Sequence, residues 1–149
     1  MAARATANSF NGAAGTIYRE AESDGLGRGA VTVNNNGIIV STNIVNTSLP
    51  PYNRAYDSDN LAGTAWAVTN GGYVSLTGAV GLRSLSIDSI NSALWLEGRV
   101  LTLKESLTVT GKVYSAGIYT ASELGPRVHD SVGGGQVIIS GRGTVFTFR

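Results

Sequence analysis

Cysteine is absent from all 149 residues. Disulfide staples and thiol catalysis are therefore excluded, and a metal site would have to be built from other ligands. Charge is also scarce: Asp, Glu, Lys and Arg make up 14% of the chain, against an ordinary share of about 25%. The polar surface must then come from Ser, Thr, Asn and Gly. Net charge is +1, and the cations are scattered. No basic stripe reads as an electrostatic footprint for nucleic acid, so none is expected as a partner. Histidine occurs once, at His129. No apolar run approaches the ~18 residues of a membrane helix, so no membrane span is expected. The first ten residues lack the apolar stretch of a secretory signal. Either the protein is cytosolic, or the chain is a mature form or an excised piece with a start Met; the excised piece is the reading favoured.

Glycine is abundant at 20 residues, and hydrophobic residues reach 42%. That balance suits one domain, 1–149, with a real core. Glycines fall between short β-branched runs, a strand-turn-strand rhythm. Strands are expected near 16–20, 30–34, 38–42, 64–68, 73–76, 82–87, 94–96, 100–103, 106–109, 136–139 and 144–148. Many alternate, as do Val31 with Val33, Val74 with Leu76, and Leu94 with Leu96. Period two places one face inward and one outward. No window holds a convincing helical stripe; 2–9 and 21–26 are short, weak candidates.

The most informative pattern is a repeat. Leu76-Thr77-Gly78-Ala79-Val80 returns as Leu96-Glu97-Gly98-Arg99-Val100, and the match continues: Leu82 with Leu103, Leu85 with Leu107, Ile87 with Val109. The offset drifts from 20 to 21 to 22 residues, as small insertions at corners between strands would cause. Self-similarity at this period marks a stacked architecture, in which each unit buries its apolar face against its neighbours. Three short strands per unit, near 74–76, 80–82 and 85–87, give the outline of a coil, with coils about 4.8 Å apart. The expected fold is all-β, a right-handed parallel β-solenoid of six or seven short coils. An antiparallel β-sandwich, which also uses short alternating strands, is the alternative. Two stretches interrupt the rhythm: a loop at about 43–61 that carries Pro50 and Pro51, and an irregular segment at about 115–135.

In the C-terminal third the phrases Leu96-Glu97-Gly98, Val100-Leu101-Thr102-Leu103, Ser106-Leu107-Thr108-Val109, Ala116-Gly117-Ile118-Tyr119-Thr120-Ala121 and Gly134-Gly135-Gln136-Val137-Ile138-Ile139 resemble the autotransporter-associated β-strand repeats of large bacterial surface or secreted proteins. Gly15-Thr16-Ile17-Tyr18 and Gly29-Ala30-Val31-Thr32-Val33-Asn34 are similar to β-helical coils of the same kinds of protein. The resemblance covers residues 73–139, and 12–40 more weakly. It implies a right-handed parallel β-helix, an extracellular or cell-surface location and a passive or adhesive role. It supplies no catalytic residues.

The residues with chemistry are few. Asp57-Ser58-Asp59 sets two carboxylates on one side of an extended segment, as a Ca²⁺ site would, but Asx turns in a solvated loop explain them more simply. His129, Asp130 and Ser131 are consecutive, and adjacent residues rarely converge on the nucleophile, base and orienter positions of a triad. Gly133-Gly134-Gly135 lacks the Lys-Ser/Thr and helix of a phosphate loop. Parallel β-helix pectinases act with clustered carboxylates, and the phrases Asn-Thr-Asp, Asp-Asp, Gly-His-Gly and Arg-Ile-Lys of polygalacturonases do not occur. No enzyme activity, cofactor or metal is expected. Tyr52, Asn53, Arg54, Tyr56, Asp57 and Trp66 combine flat rings with amide and charged groups, which sugars need, and they form the candidate carbohydrate-binding set. Val145, Phe146, Thr147 and Phe148 end the chain on an alternating strand. That strand is the candidate assembly edge, because an unpaired edge is a template for another strand. The expected function is a non-catalytic structural or adhesive segment that pairs with itself or with the rest of a larger chain. The alternative is a carbohydrate-binding module or a fragment of a polysaccharide-degrading enzyme.

Overall fold

The alternation in the sequence becomes strands whose inward residues line up from one strand to the next. A computed structural model describes residues 15–37, 46–49, 58–88 and 91–141, with the backbone alone at 58–60. The strands are β1 (Gly15–Arg19), β2 (Ala30–Asn34), β3 (Thr47–Leu49), β4 (Ala65–Thr69), β5 (Tyr73–Leu76), β6 (Val80–Ile87), β7 (Ala93–Trp95), β8 (Val100–Val109), β9 (Lys112–Tyr114), β10 (Gly117–Thr120), β11 (Val128–His129) and β12 (Gln136–Ile139). One helical turn, α1 (Ala121–Leu124), separates β10 from β11. Short 3-10 turns occupy Glu22–Asp24 and Ser58–Gly63.

The protein is all-β, and its strands form two sheets. The larger runs β1-β2-β4-β6-β8-β12-β10, with β9 also paired to β8; the smaller runs β11-β7-β5-β3. From β2 to β8 the chain alternates between them, and each new strand lies parallel to the previous one in its sheet. These inner ladders are parallel, so an antiparallel sandwich does not describe them. Among the described residues the parallel ladder of the larger sheet has five strands, β2, β4, β6, β8 and β12, fewer than six or seven coils.

Parallel register turns alternation into columns. Val31 pairs with Trp66, Trp66 with Leu85, Leu85 with Leu107, and Leu107 with Tyr114. A second column is Val33, Val68, Ile87 and Val109. All of these are buried and belong to one hydrophobic cluster that extends from Val31 to Ile139. Each fully buried Leu or Val adds about 1.5–3 kcal/mol of transfer free energy. Burial in columns explains why the pattern repeats: every strand offers the same apolar positions to its neighbours above and below.

The drift of the repeat has two separate sources. One residue is absorbed at the corner before β8, because Val80 pairs with Leu101 rather than with Val100. The other is a bulge inside the strands, where Arg83 lies opposite Lys104 and Glu105 between the pairs Leu82↔Leu103 and Ser84↔Ser106. The expected second and third strands of each unit therefore run on as one, β6 and β8.

Three further expectations change. The loop at 43–61 contains β3, which pairs parallel to β5. The stretch at 115–135 is not irregular; it holds β10, α1 and β11. The segment similar to a β-helical coil at Gly15 to Tyr18 forms β1, which is antiparallel to β2. Antiparallel strands thus end the larger sheet on both sides, β1 at one edge and β10 at the other. The expected strand at 38–42 lies outside the described residues, as do the short helical candidate at 2–9 and the assembly edge Val145, Phe146, Thr147 and Phe148.

Candidate functional site

After β8 the chain leaves the stack. Thr110 and Gly111 take φ of 47° and 84°, the left-handed pair of a tight hairpin turn, and β9 folds back on β8. Tyr114 then closes the first column. Its ring meets Tyr119 edge to face at 5.4 Å, and its hydroxyl donates to the Leu124 carbonyl at 3.0 Å. The chain crosses as β10 and turns through α1. There the Glu123 carboxylate accepts from the Thr120 backbone N–H and hydroxyl, both at 2.7 Å. These bonds hold the Glu123 pKa below the usual carboxylate range. The chain then rejoins the smaller sheet as β11.

β11 brings His129 beside Trp95 on β7. Both project from the outer face, in a row that begins Ser48, Ser75. The two rings stack with centroids 4.4 Å apart and planes inclined by 26°, close to the ~4.8 Å spacing of neighbouring strands. Among the described residues, Trp95 Nε1 is buried without a hydrogen-bond acceptor, and the ring packs by stacking on His129. Burial, and secondarily the Arg127 charge, push the His129 pKa below its ordinary value, so the neutral imidazole is favoured.

Asp130 organises the next loop. One carboxylate oxygen accepts from Gly98 N at 2.8 Å and Gly133 N at 3.1 Å, and the other accepts from Gly135 N at 2.6 Å. The Gly98 amide contributes most to holding the Asp130 pKa below the usual carboxylate range, and burial opposes it. Gly135 cannot be replaced cheaply, since a Cβ there would lie 2.7 Å from Leu96 Cβ and 2.9 Å from Asp130 Oδ2. Ser131 donates to Glu97 Oε2 at 2.6 Å.

A cleft of about 580 Å³ opens over these residues, lined by Trp95, Ser122, Pro126, His129 and Ser131 among others. A second hollow of about 270 Å³ adjoins it, shares Ala121, Ser122 and Asp130, and reaches Gln136. Together they form one groove along the side of the C-terminal excursion. His129, Asp130 and Ser131 do not assemble as a triad. The imidazole stacks on Trp95, the Asp130 carboxylate faces backbone amides, and the Ser131 hydroxyl turns to Glu97. Among the described residues, no group of three or more His, Asp or Glu could hold a metal ion.

The predicted carbohydrate set divides. Tyr52, Asn53, Arg54, Tyr56 and Asp57 lie outside the described residues. Trp66 does not serve as a platform: it is 4% exposed and forms part of the first column, and its Nε1 donates to Thr64 Oγ1 at 2.8 Å. Sequence reasoning passed over the other tryptophan. The signal was there in Leu94-Trp95-Leu96, because inward Leu94 and Leu96 force the ring between them outward.

Comparison with protein-family models, with curated proteins and with solved structures gives no match for this chain. Among the described residues, no helix is long and apolar enough to cross a membrane.

Proposed function

We propose that the chain is a non-catalytic structural segment, a right-handed parallel β-solenoid of a bacterial surface or secreted protein, stacked against copies of itself or against further coils of a larger chain. The carrying observation is the parallel register of the two repeat copies, in which Leu82 meets Leu103, Leu85 meets Leu107 and Ile87 meets Val109. Equivalent residues in consecutive strands are what a fold extended by repetition requires. Right-handedness is the general rule for parallel strands joined by crossovers in one sheet. The resemblance to autotransporter-associated repeats supports the same reading.

The test is to lengthen the stack. Duplicating residues 73–92 adds one pass through each sheet at the observed 20-residue offset between β5 and β7. The longer chain should unfold in one cooperative transition, with a denaturant m-value raised in proportion to the added buried surface. Light scattering at rising concentration should show self-association of the parent chain. A duplicated rung that stays unfolded, with the parent m-value unchanged, would overturn the repeat-scaffold reading.

A further inference from the structure

We propose that the excursion through β9, β10 and α1 is an end cap: it closes the larger sheet to a further strand, so a stack of copies cannot propagate through this end. The cap deepens the scaffold reading, and rests on it only in taking strand addition as the way copies join.

Backbone direction comes first. Thr110 N donates to Ile87 O at 2.7 Å, so alternation along β8 turns Leu107 and Val109 away from β6. Gln136 N donates to Arg99 O at 3.1 Å and Ser140 N to Leu103 O at 2.8 Å, so Val137 and Ile139 likewise turn away from β8. Left bare, the backbone groups of these four residues would form the open edge of a parallel ladder, a template for a strand of another copy. The excursion covers all four. β9 pairs with Leu107 and Val109, and β10 pairs with Val137 and Ile139.

Little then faces outward. Bonded and non-bonded positions alternate in an antiparallel pair, so β9 directs only Val113 to its outer edge. In β10 the outward positions are Ile118 and Thr120, and the Thr120 N–H is already held by the Glu123 carboxylate at 2.7 Å. Among the described residues, no strand pairs with the outer edge of β9 or β10. The two strands have three and four residues, and short edge strands are one means by which sheets resist pairing.

Charge completes the closure. Lys112 pairs with Val109, so it takes the next inward position of the column that runs Val33, Val68, Ile87 and Val109. It is exposed, with Nζ 4.5 Å from the centroid of the Tyr114 ring. A strand laid on β9 would bury this ammonium at the end of an apolar column, which is costly without a carboxylate to pair with it. An inward charge at an edge is a second means of preventing pairing. The cap is anchored in turn by the Tyr114 hydroxyl on Leu124 O and by the Tyr114–Tyr119 contact. Val113 and Ile118 remain 68% and 63% exposed, so the blunted edge, not a polar surface, closes this end.

The experiment removes both guards. Lys112→Val extends the apolar column, and Glu123→Ala frees the Thr120 amide; both side chains are exposed. The double variant and the parent are compared by sedimentation velocity at rising concentration and by hydrogen exchange at single amides. The double variant should form species larger than any of the parent, and in them exchange at Val113 and Ile118 should slow at least about tenfold. In the parent these two amides should exchange at the same rate at every concentration. Lys104→Val, the same replacement at an exposed position of an inner strand, should behave as the parent. A double variant that keeps its melting transition and stays at the parent's size would overturn the proposal. So would a parent whose Val113 and Ile118 amides become protected as it associates. If the double variant loses its melting transition, Lys112→Val alone decides by the same two measurements. A parent that stays monomeric counts against self-stacking and not against the cap, because the variant is still compared with it.

Discussion

At the first copy of the repeated phrase, Thr77, Gly78 and Ala79 carry the chain from β5 to β6 outside the left-handed region, and Thr77 N donates to Leu49 O at 2.9 Å. At the second copy, Glu97 and Gly98 take φ of 50° and 69°, and Arg99 N closes the turn on Leu96 O at 2.9 Å. The first corner is tied through Thr77 to the strand beneath it. The second is gripped by the excursion, through Gly98 N to Asp130 and Ser131 to Glu97. One phrase therefore makes two different corners. Two left-handed residues in succession re-phase the chain by one position, and a one-residue slip exchanges the faces of a strand. That is why Val80 pairs with Leu101 rather than with Val100. What a repeat preserves is the inward columns; the corners answer to whatever packs beside them.

The strongest challenge to this comparison concerns what the two copies share. Leu76 and Leu96 are both buried, each just beyond the paired Ser75 and Trp95. Leu76→Asp and Leu96→Asp should each cost about 3–5 kcal/mol, because an unpaired charge replaces a packed leucine. Equilibrium denaturation measures both, and a midpoint near the parent value for either would show that its corner is not anchored in the core.

Glycine substitution separates the corners more finely. Gly98→Ala forces a Cβ at positive φ to within 3.1 Å of Gly133 O and Val132 Cγ1, and should cost more than about 1 kcal/mol. Gly78→Ala has no such backbone constraint and should stay within about 0.5 kcal/mol of the parent. Equal losses at the two sites, read from paired denaturation curves, would erase the distinction.

Asp130 tests whether the excursion holds the second corner. Asp130→Asn should lower the melting temperature and speed hydrogen exchange at Gly98, Gly133 and Gly135, with Thr77 exchange unchanged. The pH dependence has a definite sign. The amides hold the folded-state pKa of Asp130 below its ordinary value, so its contribution is present above the ordinary carboxylate pKa and is lost as pH falls through the folded value. Asn at this position should flatten that acid limb, and slow Gly98 exchange in the variant would locate the restraint elsewhere.

The smallest effect belongs to His129. Its folded pKa is lowered, chiefly by burial. The unfolded chain therefore takes up the proton first as pH falls from about 6.5, and stability present at neutral pH declines until the folded pKa is passed. A shallow loss between about pH 7 and 5, removed by His129→Gln, is the expected result of thermal melts across that range. A parent curve flat over the same interval would mean that the imidazole carries no such penalty for protonation.

Much of the stack was legible because alternation and parallel register reduce to the same rule. Leu85 with Leu107 and Ile87 with Val109 could be matched by eye, and the structure pairs them. β3 escaped because Thr47-Ser48-Leu49 is too short to show a period. β10, α1 and β11 escaped because a helical turn of four residues and a two-residue strand carry almost no local signal. The groove was harder still. Trp95 and His129 are 34 positions apart, and only the pairing of β7 with β11 brings their rings together. Trp66 misled for a related reason: beside a loop in sequence, it is central in the column formed by β2, β4 and β6.

The sequence by itself determined that the protein is all-β, which residues alternate inward, and that neighbouring units repeat, because each follows from the two-residue period of a strand and from apolar side chains spaced to meet their counterparts. Tertiary structure alone decided which strands run antiparallel at the edges, where each corner takes its extra residue, and that Asp130 reaches Gly98 across 32 positions. These depend on contacts between segments distant in the chain, and no local pattern of residues encodes which backbone amide will lie within hydrogen-bonding distance of a given carboxylate.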